Sequence, residues 1–250
     1  MIIDSHLHLP VDPPDFPAKK QALLGEMKRN GVDRGIIIAD SEPESVIGSV
    51  RDCAELFRGD AVIKVIAGIS PLINFEEQLC YCRKLLESGD IIGMKLYTGH
   101  EPFYCIDSSL LPVYDLAAEF RVPVLFHTGW DNNQYAAPEK MRKLGAKRRE
   151  NTFIYSHCFY PDTEHCFEVL RECENVYFDT SSLADDADKW GQIRKSLEKA
   201  IREMPGRFIF GSDFGSCSQS EHLRFAESLD ITAEQRELFM HGNAENVYKL

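Results

Sequence analysis

The sequence predicts an α/β fold: a (β/α)8 TIM barrel in a single domain spanning residues 1–250, with extra helices at its C-terminus. Three observations predict it. Eight short apolar runs alternate with helix-patterned stretches, and no composition break marks a linker. Runs such as Ile36-Ile37-Ile38-Ala39 are continuously apolar, as a parallel strand buried on both faces requires. The ends of five runs carry His, Lys or Asp, which a barrel would gather at one mouth. An open doubly wound sheet would favour a glycine-rich phosphate loop after the first strand, and that turn holds histidines instead.

The elements follow in order. Ile2 and Ile3 open a buried strand that leads into Asp4-Ser5-His6-Leu7-His8, and Pro10 ends the pairing. Residues 11–17, rich in Pro and Asp, read as a loop. Residues 19–30 read as a helix with Leu23, Leu24 and Met27 on one face and Gly31 ending it. A strand over 34–40 precedes a helix expected over 41–57, with Val46, Val50 and Leu56 inward. Strand 62–69, helix 75–87, strand 91–96 and helix 108–120 continue the alternation. Strand 122–127 tolerates Pro123 near its start. A basic, partly helical segment over 138–150 leads to strand 152–157, helix 162–173 and strand 176–179. Trp190, Ile193, Leu197 and Ile201 mark a helix face before the eighth strand, 207–213. The tail is helical over 221–229 and 232–240, where Thr232 and Gln235 are spaced as a capping box, and again over 243–248 with Asn243 as its cap.

Composition narrows the class. The chain is 44% hydrophobic and 27% charged, which suits a globule with a sizeable core. A net charge of -12 argues against nucleic acid or an anionic membrane as partner. The expected partner is a small molecule, and a homo-oligomer stays open. Eight cysteines without a Cys-x-x-Cys pair suggest neither a zinc ribbon nor a disulfide framework. With a strand-like start and no long uncharged apolar run, the chain reads as cytoplasmic with reduced thiols.

On an extended strand, residues i and i+2 share a side, so His6 and His8 converge and can hold a metal ion. A lone His-x-His pair is more often an ordinary polar strand end. The balance shifts because Lys95, His127, His157 and Asp213 also lie at strand ends, whereas His100, His165, His222 and His241 fall in loops or helices. Asp40 and Asp179 end the second and seventh strands and read as structural or supporting carboxylates, and Asp4 as a residue orienting a loop or a ligand. Tyr97, Phe103, Tyr104 and Trp130 follow strands four and five, where they either shape a pocket or pack loops. The basic run with Lys140, Arg142, Lys143, Lys147, Arg148 and Arg149 reads as a solvated face from which one Arg can reach a substrate.

Asp4-Ser5-His6-Leu7-His8, His127, His157, the stretch 175–181, Phe210-Gly211-Ser212-Asp213 and Gly242-Asn243-Ala244 together resemble the amidohydrolase superfamily along the whole chain. Within it the chain is similar to the amidohydrolase-related branch that includes aminocarboxymuconate-semialdehyde decarboxylase. The resemblance implies a divalent metal, zinc first and manganese second, held by His6, His8, His127 and Asp213. It implies that Asp213 also exchanges the proton of an activated water, and that His157 polarises the substrate carbonyl or binds a second metal. For Lys95 it implies either a carbamylated lysine bridging two metals or, preferred, a cation that binds a substrate carboxylate. The expected activity is metal-dependent hydrolysis of an amide, ester or lactone in a small molecule that can be anionic. The runner-up is a metal-dependent decarboxylase, and the alternative from another class is a non-catalytic ligand-binding barrel.

Overall fold

In a computed structural model that describes residues 1–130 and 133–250, eight parallel strands pair in sequence order. They are β1 (Ile3–Leu7), β2 (Arg34–Ile38), β3 (Ile63–Gly68), β4 (Met94–Leu96), β5 (Val124–Phe126), β6 (Phe153–Ser156), β7 (Val176–Asp179) and β8 (Phe208–Ile209). The seam between β1 and the chain after β8 is drawn together by backbone bonds: Ser5 N–H to Phe210 O (3.0 Å), Asp213 N–H to His6 O (2.8 Å) and His8 N–H to Phe214 O (2.6 Å). These bonds carry the segment with Asp213 directly alongside His6 and His8.

The helices between the strands are α1 (Phe16–Arg29), α2 (Val50–Leu56), α3 (Phe75–Ser88), α4 (Leu111–Phe120), α5 (Pro138–Lys147), α6 (Thr163–Leu170) and α7 (Trp190–Glu203). After β8 come α8 (Gln219–Glu227), α9 (Ala233–Glu237) and α10 (Asn243–Tyr248). Among the described residues no helix is long and apolar enough to cross a membrane.

The period-two geometry of strands divides the core into two layers. Ile37, Phe126, Phe153, Phe178 and Phe208 face outward and pack against helix residues such as Leu23 and Met27. Ile3, Ile36, Ile38, Ile66, Leu125, Ile154 and Ile209 fill the barrel interior, joined by Ala244, Val247 and Tyr248 of α10. Each such side chain contributes about 1.5–3 kcal/mol by leaving water. The outward and inward sets explain why the strands read as unbroken apolar runs.

The expected helix over 41–57 is corrected to α2. Pro43 and the positive-φ Gly48 (92°) lie in a loop, and the helix starts at Ser49, whose side chain forms a capping box with Asp52. Val46 is therefore 63% exposed rather than inward. The capping box of Thr232 and Gln235 forms as expected, but α9 then widens into a π-helical turn over Leu238–Gly242. Asn243 does not cap α10. It is the helix's first residue, and its amide donates to the carbonyls of Pro205 and Phe208, both at 2.8 Å, tying α10 to β8. All eight cysteines are unpaired.

Candidate metal centre

The mouth at the C-terminal ends of the strands holds a contiguous arc of imidazoles. Ring centroids run from His8 to His6 at 5.4 Å, His6 to His157 at 5.1 Å, His157 to His127 at 4.9 Å and His127 to His100 at 4.0 Å. His100, in the loop after β4, was not singled out by sequence because nothing in its local pattern marks it.

The tightest group is His6, His8 and Asp213, whose ligand-type atoms lie within 4.8 Å of one another. Asp213 Oδ1 stands 3.4 Å from His6 Nε2 and 3.2 Å from His8 Nε2. The other ring nitrogen of each histidine is already engaged. His8 Nδ1 is 3.0 Å from Ile38 O, so it must be the protonated donor. His6 Nδ1 makes a short contact with the Asp179 carboxylate. In the neutral rings both Nε2 atoms therefore point lone pairs at a carboxylate oxygen. That arrangement is repulsive unless a cation lies between them. Donors around a tetrahedral ion with bonds of about 2.0–2.1 Å are separated by about 3.3 Å, and these distances match. Nδ1 held by a carboxylate or a backbone carbonyl is also the usual support for a metal-binding histidine.

His127 stands apart from this trio. Its ring lies between those of His100 and His157, with Trp130 stacked at 6.1 Å and an interplanar angle of 20°. Lys95 is 1% exposed and donates to Ser156 Oγ at 2.8 Å. Asp179 supports His6, as its strand-end position suggested. Asp4 accepts from Ser212 N (2.9 Å), Ser212 Oγ (2.6 Å) and Gln219 Nε2 (2.8 Å), pinning the loop that carries Asp213. Asp40 is structural: its oxygens accept from Glu42 N and Ser45 Oγ. Of the basic run, Arg148 turns away to Asp115, and Lys140 sits over the Tyr104 ring.

The two serines after β7 carry no role in the sequence reading, although Ser181 closes the stretch 175–181. Ser181 Oγ lies 3.1 Å from His6 Nδ1 and 2.9 Å from His157 Nδ1, while Ser181 O is 3.2 Å from the latter. Ser182 Oγ donates to Asp213 Oδ2 at 2.5 Å. They follow Asp179 with Thr180 between, and only the folded barrel shows that one short loop touches three site residues. His222 on α8 holds this loop from behind, accepting from Ala184 N–H at 3.3 Å.

Electrostatics follow from burial. Desolvation pushes Lys95 down from 10.5 to about 8, and His157 down to about 3. The same cause lowers His6 and His127, so these imidazoles are neutral, the form able to take a metal ion. Burial alone would raise Asp213 and Asp179, but the neighbouring histidines, His6 foremost, hold both carboxyls below the ordinary range.

Gly211 allows this close packing. A Cβ there would lie 2.5 Å from Asp179 Oδ1 and 2.8 Å from His6 Cβ. Gly211→Ala is expected to destabilise the protein by about 1–3 kcal/mol. Calorimetry should show the melting temperature falling by roughly 2–4 °C per kcal/mol. An unchanged melting temperature would mean that the His6–Asp179 packing is looser than described.

A groove of about 470 Å³ between α2 and α3, lined by Arg51, Tyr81 and Lys84 among others, lies apart from the histidines and shares none of these residues.

The amidohydrolase family model matches residues 3–250. No curated protein matches the sequence. Among solved structures, an uncharacterized TIM-barrel protein from Bordetella bronchiseptica is 20% identical with a TM-score of 0.77, covering 98% of this chain and 97% of its own. A probable 2-pyrone-4,6-dicarboxylic acid hydrolase from Acinetobacter baumannii is 12% identical with a TM-score of 0.73, covering 100% and 99%. A dihydroxybenzoic acid decarboxylase from Polaromonas with bound manganese is 14% identical with a TM-score of 0.72, covering 100% and 97%. At these identities the likeness establishes a shared fold.

Proposed function

The chain belongs to the amidohydrolase family, and from that premise we propose that residues 1–250 form one metal-dependent hydrolase domain acting on an amide, ester or lactone bond of a small molecule. The observation that carries the reading is the convergence of two imidazole lone pairs and a carboxylate on one point. Under this proposal His6, His8 and Asp213 hold a divalent ion, and His127 completes the set from across the mouth. Zinc suits this mixture of nitrogen and oxygen donors. Manganese, present in the Polaromonas decarboxylase, is the other candidate.

When bound, such an ion supplies Lewis acidity and makes water a stronger acid. The protein's own groups do the rest. Asp213 is ionised at neutral pH and held by Ser182, so it can take a proton from water and return it to the leaving group. His157 is neutral, and Ser181 presents both a hydroxyl and a carbonyl to its Nδ1. With the hydroxyl donating, Nε2–H is left to polarise a substrate carbonyl. With the carbonyl accepting, Nε2 is left to ligate a second ion. Lys95, on the floor of the mouth, offers a cation to a substrate carboxylate; carbamylation is the competing role.

That buried cation favours a second reading, decarboxylation of a small carboxylate, in which Lys95 and the metal anchor the acid. Assaying a panel of lactones, esters and carboxylates separates the two: carbon dioxide release marks the decarboxylase. Chelation with EDTA is expected to reduce turnover about 100-fold or more, since the ion is worth several kcal/mol in the transition state, and added Mn²⁺ or Zn²⁺ should restore it. Metal-free protein with undiminished activity would defeat both readings. Ligand binding with no turnover across the panel would favour a non-catalytic barrel.

A further inference from the structure

The residue that follows β6 carries one of the site's imidazoles on an unusual backbone. His157, Cys158 and Phe159 all have positive φ, at 61°, 48° and 60°. Left-handed conformation is normally visited by single residues, most often glycine or asparagine, because Cβ crowds the following carbonyl. Three in a row, none of them glycine, persist only where surrounding contacts over-determine them.

One neighbour makes two of those contacts. The Thr128 hydroxyl donates to Ser156 O and accepts from Phe159 N–H at 3.0 Å. A single side chain thus bridges the residue before the turn and its last residue. The same loop adds Trp130 N–H to Tyr160 O at 2.7 Å. Gly129 lies so close that a Cβ would stand 2.7 Å from Tyr160 O. From the other side Cys158 Sγ donates to Asp179 O at 3.3 Å, and the Phe159 ring stacks on Tyr155. Thr128 is 2% exposed, and both hydrogen bonds of its hydroxyl are made within the protein. It does sit one residue after His127, so the element that ends in one imidazole clamps the turn that presents the next.

We propose that Thr128 is a positioning residue of the site: its hydroxyl staples the left-handed turn whose first residue is His157, and so sets, together with the Ser181 contacts to the ring, the aim of His157 and its spacing from His127. The role rests on the reading of this mouth as an active site, but the placement of His157 is measurable without turnover.

The test compares Thr128→Val, which keeps the shape and loses both hydrogen bonds, with Thr128→Ser, which keeps the hydroxyl. Two readouts are used: side-chain ¹⁵N resonances of His157 in zinc-loaded protein, and hydrolysis of p-nitrophenyl acetate by manganese-loaded protein. Thr128→Val should shift the His157 ring resonances and lower kcat about 10- to 100-fold, as expected for a reacting group displaced by up to about 1 Å, with KM changed less than about twofold. Thr128→Ser should restore both. Should the valine variant fail to fold, Thr128→Ala against Thr128→Ser supplies the same contrast. Unmoved His157 resonances in the valine or alanine variant overturn the proposal, as does a serine variant no better than they are. Moved resonances in a protein that hydrolyses nothing uphold the staple and count against the active-site reading instead.

Discussion

Replacing Asp213 with Asn is expected to reduce turnover by about 1000-fold or more, the largest catalytic effect of any single substitution here. The amide has nearly the shape of the carboxylate and can still accept from Ser182, so the fold is not at issue. What disappears is the negative charge facing His6 Nε2 and His8 Nε2 at 3.4 and 3.2 Å. Two neutral imidazoles retain a divalent ion much more weakly than two imidazoles with a carboxylate, and the asparagine cannot take up a proton. General acid–base function alone contributes about 10²–10⁴-fold, and weakened metal binding compounds the loss. Metal content per chain and kcat/KM, measured on the same preparation, check it. Full metal occupancy together with a fall of less than about tenfold would remove Asp213 from both roles.

The frame of the molecule was readable because parallel strands buried on two faces demand continuous apolar runs, and Ile36-Ile37-Ile38 satisfies that demand with alternate residues inside and outside the barrel. The chemistry was partly readable for a related reason. A barrel gathers its strand ends at one mouth, so His6, His8 and Asp213 could be associated across more than 200 residues of chain. Two things were out of reach. Local helix periodicity could not reveal that residues 41–48 would run as a loop, although Ser49 and Asp52 carried the capping signal. Nor could it reveal the hydroxyls that orient the imidazoles. Ser181, Ser182 and Thr128 are ordinary polar residues in sequence, and their partners become visible only when β1, β5, β6 and β7 are side by side. His127 shows the remaining limit. Its strand-end position predicted presence at the mouth, while its distance from the trio depends on how the loop after β5 meets the turn after β6.

Lys95→Met should make the metal-free protein more stable at neutral pH while impairing the site. Burial lowers the Lys95 pKa from 10.5 to about 8, so below pH 8 the folded protein holds an ammonium in a poorly solvated place. Between about pH 8 and 10.5 the unfolded chain binds more protons at this position than the folded one, and stability contributed by this residue rises with pH. At about 1.4 kcal/mol per tenfold change in proton affinity, the ionised lysine costs on the order of 3 kcal/mol at pH 7, a penalty that fades by pH 10.5. The hydrogen bond to Ser156 recovers part of it. Methionine fills similar volume without the charge, so its stability advantage should be greatest at pH 7 and shrink steadily towards pH 10. Urea titrations of both proteins in EDTA at pH 7, 9 and 10 measure the difference, in which other titrating groups largely cancel. A gap that stays constant across that range would show that the amine carries no such burden, as it would if Lys95 were held in modified form. A residue whose removal strengthens the fold and weakens the reaction is kept for its chemistry, and that pair of outcomes is what the proposed role of Lys95 requires.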